Sequence, residues 1–451
     1  QLGITINGAA GNDGHIGMQS VVNMKTGMPL PTTATIDYGT ISSPASIGAV
    51  NAVASKNSNV EYEYYIDFDG MQVPFSDTTA NYVGDGKSFT ELLDGKTYKF
   101  VAVPGLGTLE DCAQVADSLK GAVALIKRGE ITFVEKVNNA HAYGAVAAVV
   151  WDNIEDNPSS VGMELTGARI PAIFIEYKYG AELAARGSGS MTVKDKLLGK
   201  FPTEDYGKIA DTSSWGVTPG FALKPDFAST GINVVTAAPN GGYTTMSGTS
   251  AASAYASGEA AALYAMLRRG GGEADAAEIR RRLMNTAELL TDSETGIYYS
   301  PRRQGAGEIK AAVAAAAEIA LLDAETGEPK TAIPSLGKTS VTLELLIENR
   351  SNAKKTVSLS CTVQSDAYEL YKNEDETYSA SIDLCRPHAF DNASAALDGR
   401  EINIYSADFE GAEITLSPGE KKQISVDISL DEETAEEYGS VFEYGFYLEG
   451  F

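Results

Sequence analysis

Seven residues, Ser247 to Ser253 (SGTSAAS), set a serine behind a Gly-Thr turn at the head of GTSAASAYASGEAAALYAML, a run of small residues that reads as a helix buried on all sides. Such a serine has its hydroxyl at the positive end of the helix dipole. The backbone N–H groups there lack intrahelical acceptors and can hold an oxyanion. The plainer reading of the same residue is an N-cap, for which serine is among the preferred types. Acid–base partners are scarce, because the chain has three histidines, His15, His141 and His388. Its three cysteines, Cys112, Cys361 and Cys385, show no Cys-x-x-Cys or Cys/His ligand spacing. That argues against a structural zinc site and against a disulfide framework; at most Cys361 and Cys385 could pair.

The elements that must position this chemistry belong to a chain of 451 residues, enough for about three domains. It is 43% hydrophobic and 21% charged, a globular composition. Charges sum to 35 − 61 = −26, which repels phosphate and excludes a basic surface for nucleic acid or anionic membrane. The alanine-rich run Ala311 to Leu322 is broken by Glu318, so no membrane-spanning stretch is expected. The opening QLGITINGAAGND lacks the features of a signal peptide and reads as a buried strand, Leu2 to Ile6, entering a turn.

Four segments follow from composition and period. Residues 1–58 hold short apolar strands and Gly/Ser/Thr loops, with Ile47 to Ser55 suited to a buried parallel strand. Residues 59–200 carry the strand Gly121 to Gly129, the amphipathic stretch FVEKVNNAHAYG, and buried strands at Ala145 to Trp151 and Ile170 to Tyr177, a self-sufficient α/β unit. Residues 201–322 return to loops and then to helices: the serine-led one, a second with Ile279, Leu283 and Ala287 at spacing four, and a third starting near Ile309. From 323 to 451, beyond the linker Asp323 to Gly337, the period drops to two. Val341, Leu343, Leu345 and Ile347 alternate with polar residues, as do Val357, Leu359, Cys361 and Val363, and Ile424, Val426, Ile428 and Leu430, predicting a β-sandwich. Cys361 falls on the inward face, as a small buried hydrophobe would.

In context, SGTSAASAYASGEAAAL resembles the nucleophile motif of the subtilisin-like serine peptidases, Gly-Thr-Ser-Met-Ala-Ser-Pro-His-Val-Ala-Gly. Ser213 to Met246 resembles the run that precedes it in the cell-envelope branch of that family. LMNTAELL and YYSPRRQGAGEIKAA resemble the segments closing the catalytic domain, and GAAGNDG, Gly8 to Gly14, matches the Ala-Ala-Gly-Asn oxyanion loop. The resemblance extends over the whole chain. Residues 59–200 are similar to the protease-associated domain that these enzymes insert, and residues 323–451 to their fibronectin-III-like domain. It implies an α/β fold, a subtilisin-like doubly wound parallel sheet incomplete in this chain, with both extra domains attached.

The resemblance implies roles. Ser250 attacks the peptide carbonyl to give an acyl-enzyme. Asn12, otherwise a turn residue in Asn-Asp-Gly, holds the oxyanion together with the Ser250 N–H, and Ala9, Ala10 and Gly11 line the primary side-chain pocket. The family's triad runs Asp, His, Ser, with the first two ahead of the oxyanion loop, yet none of the eleven residues before Asn12 is Asp or His. His15 lies in a Gly-rich turn, His141 on the inserted domain's helix and His388 in the sandwich. The acid and base are therefore expected from an upstream segment, and this chain alone is expected to be nearly inert. The competing expectation, from another class, is a catalytically inactive scaffold binding protein or glycan partners. The sequence also departs from the family at Ala251 for Met, Ala254 for Pro, Tyr255 for His, and Ser229-Thr230-Gly231 for Ala-Pro-Gly. Losing the Met removes an oxidisable thioether. No cofactor is expected, and calcium, which relatives bind, has no recognisable ligand loop. A protein or peptide substrate and an extracellular or cell-envelope location follow from the resemblance.

Overall fold

The structure, a computed structural model, describes residues 3–14, 39–82, 86–155, 161–194, 198–203, 206–239, 241–272, 274–293, 295–333, 340–372, 378–389, 393–397, 400–402, 412–430 and 449–450. The chain forms two compact units, Val60–Pro202 and the remainder, Gln1–Asn59 with Thr203–Phe451.

In the larger unit, three parallel strands, Asn7–Ala9, Asn51–Lys56 and Phe227–Thr230, lie side by side in that order. All six residues of the middle strand are buried, as expected of a parallel strand covered on both faces. The 21-residue helix Thr249–Arg269 packs Ala252, Ala256, Ala260, Leu263 and Leu267 against Val53 and Phe227. Alanines at spacing four let the helix axis approach the sheet closely, which explains the small-residue run. Helix Ala276–Asn285 joins the same core through Ile279, Leu283 and Met284 and ends before Ala287.

Two local expectations shift. The first strand is Asn7–Ala9; of the expected strand Leu2 to Ile6, Leu2 lies outside the described residues, Ile4 and Ile6 are 63% and 49% exposed, and the Ile6 carbonyl accepts the Asn51 N–H at 2.9 Å, where pairing with the middle strand begins. The third helix is short, Ala311–Ala315, and the alanine-rich run leaves it as strand Ile319–Asp323, paired with Ser340–Asn349. That strand opens an antiparallel sheet continued by Lys421–Ser429, Ser394–Leu397 and Arg400–Ile402. Ile347, Ile424, Val426 and Leu397 pack with Ile414, Leu416, Val357 and Leu359 of the pair Lys355–Leu359 and Ala412–Leu416, so two antiparallel layers enclose one core. Cys361 is free, partly buried against this core, and burial pushes its thiol pKa up to about 11.

The unit Val60–Pro202 is built on a nine-stranded sheet. Its centre is parallel, Lys96–Ala102, Val123–Lys127, Ala147–Trp151 and Ala172–Ile175, and antiparallel strands including Ser188–Val193 and Val60–Phe68 extend one side. Strand Ala147–Trp151 shows why both faces are covered: Ala148 and Val150 enter one core, Ala147, Val149 and Trp151 the other. Helix Tyr177–Arg186 seats Gly180 on Trp151, where a Cβ would stand 2.1 Å from the Trp151 Cβ. Among the described residues no helix is long and apolar enough to cross a membrane.

Candidate functional site

The strand Asn7–Ala9 runs directly into Ala10, Gly11 and Asn12, and helix Thr249–Arg269 begins beside that turn. The helix cap is Gly248, at φ 121°, a conformation open to glycine. A Cβ there would also come within 3.1 Å of the Asn12 carboxamide. Because Gly248 occupies the cap, the exposed Ser250 sits in the first turn and its hydroxyl is not engaged in capping. Among the described residues neither the Ser250 hydroxyl nor its N–H has a protein partner, while its carbonyl accepts from the Ser253 hydroxyl at 2.9 Å.

Asn12 is brought to the helix by Thr249. The Thr249 N–H donates to Asn12 Oδ1 at 2.9 Å and the Thr249 hydroxyl donates to the same atom at 3.0 Å. That hydroxyl also accepts the Gly11 N–H at 3.1 Å. With Oδ1 held by two donors, the Asn12 amide N–H2 group has no partner among the described residues, next to a helix N-terminus that favours negative charge. The arrangement can stabilise an oxyanion formed at Ser250.

Ala9, Ala10 and Gly11 contribute differently. The Ala10 methyl is fully buried against Ile41, Ala45 and Ala52. Its N–H donates to Val53 O at 3.0 Å and its carbonyl accepts from Ser42 N–H at 2.7 Å. Gly11, at φ 119°, lies against Ser42 and Ser214; a Cβ would stand 2.4 and 2.5 Å from their hydroxyl oxygens. These backbone groups fix the loop internally, and only Ala9, half-buried at the end of its strand, keeps its side chain partly open.

The turn behind the helix is equally tight. Gly248 N–H donates to Gly231 O at 2.7 Å and Gly231 N–H to Lys56 O at 3.0 Å, so the turn hangs from the ends of two sheet strands. Of the histidines, His15 lies outside the described residues. His141 is in the last turn of helix Phe133–Ala142, in the other unit, with a buried Nδ1 lacking a partner. His388 is in strand Tyr378–Ala389 opposite Ser365. Within the unit that carries Ser250, no histidine side chain is among the described ones. No group of three or more His, Cys, Asp or Glu among the described residues is arranged to hold a metal, so no residues here are assigned to calcium.

Thr249 and Ser214 escaped attention in the sequence. Thr249 lies inside the Gly-Thr-Ser run, where its side chain could have been weighed with its neighbours. For Ser214 no local signal exists, since its partners are about 200 positions away.

A charged cluster is buried at the start of strand Phe227–Thr230. Asp226, fully buried just before strand Phe227–Thr230, receives Lys224, Arg280 at 2.8 Å and Lys330 at 2.7 Å, and accepts the Ala52 N–H at 2.7 Å. Burial alone would raise its pKa, but Lys330, Arg280 and Lys224 outweigh that and hold the carboxyl below its ordinary value.

The PA domain family profile matches residues 96–183, within the smaller unit. The C5a peptidase of Streptococcus pyogenes serotype M3 is 29% identical over 377 residues, 81% of this chain and 30% of that protein. The PII-type proteinase of Lactococcus lactis subsp. cremoris is 28% identical over 409 residues, 85% of this chain and 20% of that one. The chain thus spans about a third or less of the length of the curated relatives it matches. A subtilisin-like protease of the Antarctic Pseudoalteromonas sp. AS-11 overlaps 69% of the chain and 63% of its own, at 14% identity and a TM-score of 0.31, too slight to bear on the fold.

Proposed function

Since this chain is a homologue of subtilisin-like cell-envelope proteases and carries a PA domain, we propose that it is the nucleophile-bearing part of a serine endopeptidase. Ser250 attacks the peptide carbonyl, the carbonyl π electrons pass to oxygen, and the resulting oxyanion is held by the Ser250 N–H and the Asn12 amide N–H2. Collapse expels the amine and leaves an acyl-enzyme, which water then hydrolyses. The observation that carries this reading is the double hydrogen bond from Thr249 to Asn12 Oδ1, which turns the other half of that carboxamide out as a donor beside Ser250.

The proton carrier in this reading is a histidine, oriented by an aspartate, on a segment outside the described residues. Two features support a docking place for such a segment. Strand Asn7–Ala9 is an edge of the three-stranded sheet, preceded by exposed Ile4 and Ile6. Edges of this kind are normally covered or paired. The helix bearing Ser250 also exposes Tyr255 and Tyr264 along its length. The substrate class in this reading is protein or peptide, and the location is the cell surface.

The test is active-site labelling. A fluorophosphonate probe should modify Ser250 in the protein produced from its entire coding sequence and fail with Ser250→Ala. An intact, folded protein that the probe ignores would overturn the peptidase reading and support an inactive scaffold that binds protein or glycan partners.

A further inference from the structure

We propose that Ser214 is a positioning residue for Asn12, setting the oxyanion donor through the backbone on both sides of it; this rests on the oxyanion reading above. Ser214 is fully buried. Its N–H donates to the Gly11 carbonyl at 2.9 Å, and its hydroxyl oxygen accepts the Asp13 N–H at 3.1 Å. One residue thus grips both chain neighbours of Asn12. The next amide along, Gly14 N–H, donates to Thr212 O at 3.1 Å, so the grip continues along the same segment.

Ser214 is itself anchored. Trp215 N–H donates to the Thr40 hydroxyl at 3.0 Å, and Thr40 N–H returns a bond to the Trp215 carbonyl at 3.1 Å. On its other side the Ser213 hydroxyl accepts the Ser55 N–H from the middle strand at 3.1 Å. The loop cannot move toward Ser214 either, since Gly11 already packs against the Ser214 hydroxyl so closely that a Cβ would overlap it.

The division of labour follows from these contacts. Thr249 fixes the carboxamide end of Asn12, and Ser214 fixes its backbone end. A side-chain donor anchored at one end alone can swing, and a misplacement of about 1 Å can cost roughly 10²-fold in rate. Ser214 contacts neither the Ser250 hydroxyl nor Asn12's donor group, so its influence passes through Asn12.

A double-mutant cycle tests this in the protein produced from its entire coding sequence, read by kcat, KM and fluorophosphonate labelling rate. Ser214→Ala should lower kcat and the labelling rate about tenfold and leave KM unchanged. In an Asn12→Ala background the same change should cost less than twofold, because the group it positions is gone. A tenfold loss that persists without Asn12, or a Ser214→Ala protein with unaltered kcat, would overturn the proposal. Ser214→Cys keeps a weaker acceptor at that place on a somewhat larger atom and serves if the alanine variant folds poorly. Amide exchange supplies a readout independent of turnover: the Asp13 N–H should exchange at least tenfold faster in Ser214→Ala while Thr249 N–H keeps its protection. Unchanged Asp13 exchange would also overturn the proposal. If Ser250 resists labelling while Asp13 responds as described, the failure belongs to the peptidase reading and not to Ser214's hold on the loop.

Discussion

The carboxamide oxygen of Asn12 accepts both the N–H and the hydroxyl of Thr249, two residues 237 positions apart in the chain. This pairing decides which half of the carboxamide faces outward. Asn12→Ala should therefore lower kcat by about 10²–10³, the loss seen on removing such a donor in subtilisin, with KM little changed. Thr249→Ser should retain most activity, since its hydroxyl keeps both roles. Steady-state kinetics on a peptide substrate checks both, and an Asn12→Ala enzyme with undiminished kcat would remove Asn12 from the site.

Gly231 is required for a different reason. A Cβ on it would stand 2.4 Å from the Ser55 hydroxyl, 2.8 Å from the Ala252 Cβ and 2.8 Å from the Gly248 carbonyl. Gly231→Ala should thus destabilise the larger unit by about 1–3 kcal/mol through overpacking, and should depress kcat by displacing the turn that carries Ser250. Urea denaturation with parallel kinetics reads both effects.

Asp226 anchors the linker beyond the core. Its Lys330 partner lies between strand Ile319–Asp323 and the described start of the next strand at Ser340. Asp226→Asn would leave three cations around a neutral group, and breaking such a buried cluster costs about 3–5 kcal/mol. The acid limb follows from the lowered carboxyl pKa. That contribution is fully present above the unfolded aspartate value, about 3.9, and is lost as pH falls through the lower folded value. Urea midpoints measured from pH 5 down to pH 2 should drop below about pH 4, and Asp226→Asn should flatten that drop.

Glu63 behaves in the opposite sense. Partial burial, with Glu61 and Glu176 alongside, raises its carboxyl pKa. A folded value above the unfolded one gives stability that is full below the unfolded value, about 4.3, and is lost as pH rises through the folded value. Strand Val60–Phe68 should be more protected at pH 5 than at pH 7 once intrinsic exchange rates are divided out. Glu63→Gln should abolish the difference, and a strand equally protected at both pH values in the wild type would contradict the sign.

What the sequence settled was local. Period two in residues 340–430 and alanines at spacing four after Ser250 each dictate one element, because a strand or helix presents its faces at a fixed interval whatever lies beside it. Motif placement was also readable, since a serine after Gly-Thr at a helix start meets the same N–H groups in any fold. The resemblance to subtilisin-like peptidases drew on these runs, and the relatives that match bear it out. Pairing was not readable. Of the expected strand Leu2 to Ile6, the described residues 3–6 are not strand, because a strand exists only where a neighbour bonds along it, and Asn51–Lys56 pairs from Asn7 onward, its first bond reaching back to the Ile6 carbonyl. The alanine run turned from helix to strand at Ile319 because Ser340–Asn349 stood ready to pair with it. Thr249 with Asn12, Ser214 with Asp13 and Lys330 with Asp226 each join residues more than a hundred positions apart. Only the folded backbone could decide those contacts, since hydrogen bonds and ion pairs reward a few ångströms of proximity that no local spacing encodes.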